Sequence, residues 1–271
     1  MSRPHWAPPE VDTTRPSVAR VYDFYLGGSH NFESDRAFGR AVLGQFPELV
    51  QTARDNRAFL RRVVARLGAE GIDQFLDLGS GIPTAGNVHE IALAANPAAR
   101  IVYVDHDPIA VLHSREIVRA IPGVTVLGGD LCHPADVLRD AVALGGLDLD
   151  RPVAVLLVSV LHFVGDDRQP GTIIAGYLDA MVPGSYLVLS HARSDGRRDM
   201  SDIAEIYRNS ANPMHFRSHD EVGELFGTLT VLDPGIVPIP RWHPDSDDDL
   251  PPDVDDGYPG LCGVARRDEP A

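Results

Sequence analysis

Phe75-Leu76-Asp77-Leu78-Gly79-Ser80-Gly81-Ile82-Pro83 decides how this chain is read. Ile72 to Leu78 is a short apolar run broken by acids, the pattern of a buried strand. Gly79-Ser80-Gly81 then supplies a turn that bulky side chains would block. Asn87-Val88-His89-Glu90 follows, its Asn and Glu spaced as in a capping box at the start of an amphipathic helix. Strand, glycine turn and helix start together make a nucleotide-sized crevice at the carboxyl edge of a parallel sheet.

The residues that follow choose the nucleotide. A dinucleotide fingerprint needs a third small residue, so that the helix can approach the strand and hold a pyrophosphate. That position is Thr84, preceded by Pro83, and the fingerprint fails. Asp77 would repel a pyrophosphate and suits a ligand carrying an ammonium and a sulfonium, which is S-adenosylmethionine (SAM). One βα unit later, Ile101-Val102-Tyr103-Val104 reads as a second strand ended by Asp105, an acid placed to accept from both ribose hydroxyls. Asp107-Pro108 reads as a helix N-cap with proline at the first helical position; the reverse assignment, Asp107 on the ribose, stays open. Val124-Thr125-Val126-Leu127 is a third strand leading into Gly128-Gly129-Asp130-Leu131. There Asp130 can accept from an adenine amino group, and the backbone at Leu131 can donate to the ring.

At these residues the chain resembles the class I SAM-dependent methyltransferases, and in particular a bacterial S-adenosyl methyltransferase family long catalogued as a domain of unknown function. The matching stretches are Arg15-Pro16-Ser17-Val18-Ala19-Arg20-Val21-Tyr22-Asp23, Leu26-Gly27-Gly28 with Asn31-Phe32, and Asn56-Arg57-Ala58-Phe59. Asp77-Leu78-Gly79-Ser80-Gly81, Gly86-Asn87-Val88-His89-Glu90 and Val104-Asp105-His106-Asp107-Pro108 match as well. The resemblance spans roughly residues 15 to 266. It implies a Rossmann-like α/β fold with a seven-stranded, mostly parallel sheet flanked by helices and an N-terminal helical cap. It also implies SAM binding, and it names no methyl acceptor. The expected cofactor residues are Asp77, Gly79, Ser80, Gly81, Asp105, His106, Asp130, Leu131 and Ser159, joined by Tyr22, Gly27 and Gly28 from the cap.

Composition narrows the function further. Among 271 residues, 39 acids stand against 24 basic residues, a net charge of −15. Nucleic-acid phosphates need basic grooves, so a nucleic-acid partner is not expected. No run of 18 apolar residues offers a membrane span. Met1-Ser2-Arg3-Pro4-His5-Trp6 lacks the apolar core of a signal peptide, and Cys132 and Cys262 lack metal spacing. A reduced, cytoplasmic enzyme acting on a small-molecule methyl acceptor is the expectation, with no metal. The sequence leaves the oligomeric state open, a homodimer included.

In chain order, residues 1–15 read as a proline-rich arm and 16–271 as one domain. Within it, 16–70 form a helical cap, 72–193 the core sheet, 194–229 a helical insertion and 230–271 the closing antiparallel strands. Val18, Val21, Tyr22 and Tyr25 share a helical face; a second helix runs from Asp35, and a third starts near Thr52 with Gly68 past its end. Leu26 to Asn31 reads as a lid hinge. Arg20, Arg54 and Arg57 are candidates for the methionine carboxylate, against the ordinary fate of helical arginines, which is solvation. Pro152 to Val160 is a continuous apolar strand and Tyr186 to His191 the next. As neighbours they would bring His162 and His191 together where an acceptor must sit. Either histidine could serve as a general base, or simply donate to a carbonyl.

Tyr207, Met214, Phe216 and Arg217 are acceptor-pocket candidates by location. His215 and His219 have metal-pair spacing, but Ser218 as an N-cap keeps them off one helix. Asp245 to Asp256 reads as a solvated acidic loop. Two readings compete with the enzyme. A SAM-binding sensor would lack space for an acceptor. An NAD(P)-dependent oxidoreductase would need a Tyr-x-x-x-Lys pair, and this chain has no lysine.

Overall fold

The computed structural model describes residues 12–83, 86–195, 201–208, 212–246, 250 and 254–269. Thr84, the arm through residue 11 and much of the acidic run (247–249 and 251–253) lie outside them. Three helices come first: α1 (Val18–Tyr25), α2 (Glu33–Gln45) and α3 (Leu49–Ala69). The apolar stripe produces α1 as expected, but its buried face also carries Arg20 and Asp23, only 3% and 2% exposed. Arg20 Nε donates to Asp35 Oδ2 at 2.9 Å, and its Nη1 to Asp107 Oδ2 at 3.2 Å. Arg20 is therefore spent on holding helices together and is withdrawn as a carboxylate ligand. Asp35 also accepts from Phe32 N at 2.7 Å, which caps α2.

The sheet is built from β1 (Gln74–Leu78), α4 (Val88–Ala95), β2 (Arg100–Asp105), α5 (Pro108–Val118), β3 (Val124–Gly128) and α6 (Pro134–Ala143). It continues with β4 (Ala154–Val158), α7 (Pro170–Leu178) and β5 (Tyr186–Ala192). Next come α8 (Ser201–Arg208), α9 (His219–Glu224), β6 (Thr230–Val231), β7 (Val237–Pro238), α10 (Val254–Gly257) and β8 (Gly260–Arg266). Asn87 caps α4, its N–H donating to Glu90 Oε2 at 2.7 Å. Gly68 lies inside α3 rather than past its end. It faces α4, where a Cβ would stand 3.5 Å from Ala95, an ordinary packing distance. Gly71, with φ +95°, takes the left-handed position instead.

The strand order is β3-β2-β1-β4-β5-β8-β6. β1 to β5 are parallel, and β8 runs antiparallel to β5 and β6. Seven strands lie on that path among the described residues, and the two-residue β7 pairs antiparallel onto β8 beside it. Its two residues, one of them proline, are too short to show an alternating pattern. Both sheet faces are covered. Leu76, Val102 and Leu157 pack with Leu138 and Tyr177 on one side; Phe75, Ile101 and Leu156 pack with Leu60 and Val88 on the other. Burial on both faces is why β4 reads as an unbroken apolar run. The chain leaves β1 toward β3, then returns to β4 on the other side of β1. That reversal opens a crevice at the carboxyl ends of β1 and β4. No helix among the described residues is long and apolar enough to cross a membrane.

Candidate active site

A cleft of about 360 Å³ occupies that crevice, a size usual for small-molecule sites. Asp77, Gly79, Ser80, Gly81, Asp105, His106, Asp130, Leu131, Ser159, Tyr22, His162 and His191 all line it. Gly27 and Gly28 do not. Gly27, φ +78°, makes the left-handed turn after α1, and a Cβ on Gly28 would collide with Asp23 Oδ1 at 2.0 Å. Asp23 Oδ2 accepts from His30 N at 2.9 Å and Asn31 Nδ2 at 2.8 Å, so a buried carboxylate organises the loop read as a hinge.

The three acids are stepped rather than level. Asp77 pairs with Tyr103 in the parallel register, whereas Asp105 pairs with Gly128, further toward the carboxyl edge. Asp105 Oδ2 accepts from Gly81 N at 2.7 Å and its Oδ1 from Asp107 N at 2.8 Å. A carboxylate has about four lone-pair positions, so two remain for a ligand. Burial raises the pKa of Asp105, while those two amides oppose the shift. Burial also lifts Asp77 to about 7; the Arg57 charge opposes this and the Asp105 charge adds to it. Asp130 is half-exposed. Burial works against it, but the Cys132 amide and thiol hold its pKa below the usual carboxylate value, helped by His133 and Arg168. Asp107 is the α5 cap, accepting from Ile109 N at 2.8 Å and Ala110 N at 3.3 Å. Ser17 Oγ and Arg20 occupy its other oxygen.

The cap reaches the sheet through a chain of hydrogen bonds. Asn56 Nδ2 donates to Tyr22 Oη at 3.0 Å, Ser190 Oγ donates to Asn56 Oδ1 at 2.7 Å, and Ser159 N donates to Ser190 Oγ at 2.9 Å. Ser159 is held at φ +57°, an unfavourable conformation for a non-glycine residue at a functional edge. Asn56 and Ser190 carry no sequence signal beyond the family-like Asn-Arg-Ala-Phe stretch. Arg57 also lines the cleft and donates to Asn87 Oδ1 at 3.0 Å, which leaves it the carboxylate-binding candidate. Arg54 is exposed and lies outside the lining.

The two histidines do meet, their ring centroids 5.6 Å apart. His191 is engaged at both nitrogens: Arg217 Nη1 donates to Nε2 at 2.7 Å, so Nδ1 carries the hydrogen and donates to Ala192 O at 2.7 Å. Burial pulls its pKa to about 4, the Ala192 carbonyl opposing and Arg217 adding. It has no lone pair to offer a substrate, which withdraws it as a general base. Burial, then His191 and Arg217, drive the His162 pKa well down, so that ring is neutral. Arg217 is buried beneath the cleft, tied to Leu161 O, Val164 O and Asp166 Oδ1. Tyr207, Met214 and Phe216 line the cleft as expected; Arg217 positions its floor instead. Ser218 caps α9, accepting from Glu221 N at 3.2 Å, which leaves His215 outside that helix.

These residues fit SAM. Gly81, φ +63°, has open space where a side chain would point, so a ligand can approach its backbone. Ser80 Oγ is buried without a hydrogen-bond partner among the described residues. The acids suit a cationic ligand. A doubly wound sheet with this acid edge defines a class I SAM-dependent methyltransferase. The chain belongs to the S-adenosyl methyltransferase family, whose model matches residues 4–268.

Two solved structures are similar over nearly the whole chain. A candidate methyltransferase from Thermobifida fusca YX is 36% identical, with TM-score 0.91, and the match covers 98% of this chain and 100% of that one. A DUF574-family protein from Streptomyces avermitilis MA-4680 is 37% identical, with TM-score 0.88, over 94% and 99%. The N-methyltransferase NodS from Bradyrhizobium japonicum WM9, in complex with S-adenosyl-L-homocysteine (SAH), shares the fold at 16% identity and TM-score 0.50, over 92% and 100%. Comparison with curated proteins finds no match.

Proposed function

We propose that the protein transfers the methyl group of SAM to a small-molecule acceptor held between the N-terminal helices and the segment after β5. Asp77, Gly79, Ser80 and Gly81, with Arg57, would take the methionine end, Asp105 the ribose, and Asp130 with Leu131 the adenine. SAM, when bound, supplies an electrophilic methyl group on a sulfonium. The observation that carries the reading is that the acid edge and an apolar wall containing Phe163, Tyr207 and Phe216 line one continuous cleft. A sensor without transfer activity would have no use for that second compartment.

With His191 engaged at both nitrogens and burial making His162 a weak base, these residues contribute orientation and exclusion of water more than proton transfer. Tyr22, tied to Asn56, lines the same cleft. Calorimetric titration with SAM and SAH is the test. Both are expected to bind, and Asp105→Ala with Asp130→Ala is expected to weaken SAM by about a hundredfold, or ~2.7 kcal/mol. Equal affinity in that double variant would end the proposal.

A further inference from the structure

Beyond the acid edge the cleft is bounded by Val18, Tyr25, Leu49, Phe163, Tyr207 and Phe216. Most of these belong to one apolar cluster that joins α1, α3, α8 and the turn after β4. The rings of Phe163 and Tyr207 lie 6.1 Å apart, tilted at 39°. Tyr25 and Tyr207 bring their hydroxyls to 3.5 Å from each other.

The charged side chains lining the cleft among the described residues gather on the cofactor side. Arg57 is bound to Asn87 beside Asp77, Arg168 stands 3.4 Å from Asp130, and Asp107 is paired with Arg20. His191, between the compartments, is committed at both nitrogens. An ion placed against the apolar wall would lose its hydration and find no opposite charge among the described residues of that wall. A flat apolar ring would bury its surface against ring faces and edges at stacking distance. A single polar substituent could meet the paired tyrosine hydroxyls.

We propose that the methyl acceptor is an uncharged aromatic compound seated against Tyr25, Phe163, Tyr207 and Phe216, with one polar group at the tyrosine hydroxyl pair. This rests on the methyltransferase reading of the site. By the same argument the described lining does not suit carboxylate, phosphate or ammonium acceptors.

The test titrates SAH-saturated protein, by calorimetry, with 1-naphthol and 1-naphthylamine as neutral probes. 1-Naphthoate and 1-naphthylmethylammonium serve as the ionic counterparts. Both neutral probes should bind at least about tenfold more tightly than either ion. Phe163→Leu, which keeps an apolar side chain and removes the ring, should weaken the neutral probes about fivefold or more and leave SAH affinity within about twofold. Tyr207→Phe, which keeps the ring and removes one hydroxyl of the pair, should weaken 1-naphthol about threefold or more and leave SAH affinity within about twofold; unchanged 1-naphthol affinity overturns the placement of the polar group.

Equal or tighter binding of either ion overturns the acceptor class. So does unchanged naphthol affinity in Phe163→Leu. SAH binding accompanied by a preference for ions would leave the methyltransferase reading standing. Failure of SAH to bind the unaltered protein would remove both.

Discussion

Asp77 holds a carboxyl that is buried, opposed by Asp105 and only partly compensated by Arg57, which lifts its pKa to about 7. A cationic ligand favours the ionised form. SAM binding near pH 6 should therefore release a proton, and affinity should rise as pH climbs through about 7. Calorimetry in two buffers of different ionisation enthalpy reads that proton directly; Asp77→Asn should abolish the release and weaken SAM about tenfold.

The pKa of His191 is shifted the other way. Its folded pKa, about 4, lies below the unfolded value of 6.5. The unfolded chain therefore takes up the proton first as pH falls, and stability drops between those values by up to about 3 kcal/mol. His191→Asn should lessen the slope in that part of the urea-denaturation profile, the remainder coming from His162, whose pKa burial also holds well below its usual value. A flat profile in the unaltered protein would mean that the ring is not held neutral.

Helices α1 and α2 meet the sheet through charge as well as apolar packing. Arg20 links Asp35, at the start of α2, to Asp107, at the start of α5, and all three are buried. Arg20→Met would leave two carboxylates without their cation, a loss of about 3–5 kcal/mol. Hydrogen exchange should show faster opening in α1 and α2 than in β1 or β4. The bond from Ser190 to Asn56 likewise fixes α3 on β5. Asn56→Leu should cost about 1–3 kcal/mol by removing the acceptor of the Ser190 hydroxyl and the amide that donates to Tyr22 Oη. Its effect on SAM turnover should exceed that of Gln45→Ala, at the far end of α2.

The reversal of strand order at β1 and β4 lets one edge of the sheet serve two ligands, with cationic chemistry at the acids and apolar chemistry beyond them. SAM at a hundredfold excess over its Kd should stabilise the folded protein by about 2.7 kcal/mol. The accompanying rise in Tm, about 5–10 °C for a domain of this size, is readable by scanning calorimetry. NADH at equal concentration should produce none. A Tm shift with NADH and none with SAM would overturn the cofactor assignment.

The βα rhythm, the glycine turn after β1, the cap at Asp107 and the acids at the strand ends could all be read from the chain alone. Each depends on residues close in sequence, where periodicity and capping act within a few positions. Pairing across the fold could not be read that way. Arg20 could be read as a carboxylate ligand or a solvated arginine until Asp35 and Asp107 were seen to hold it. Gly68 looked like a helix stop until α4 was found against it. His191 could be read as a base or as a donor to a carbonyl until Ala192 O was found on its Nδ1 and Arg217, 26 residues later, on its Nε2. A charge or a lone pair is available for chemistry only if nothing else has claimed it, and in this protein the claimants come from distant segments that only the packed sheet and its cap bring into reach.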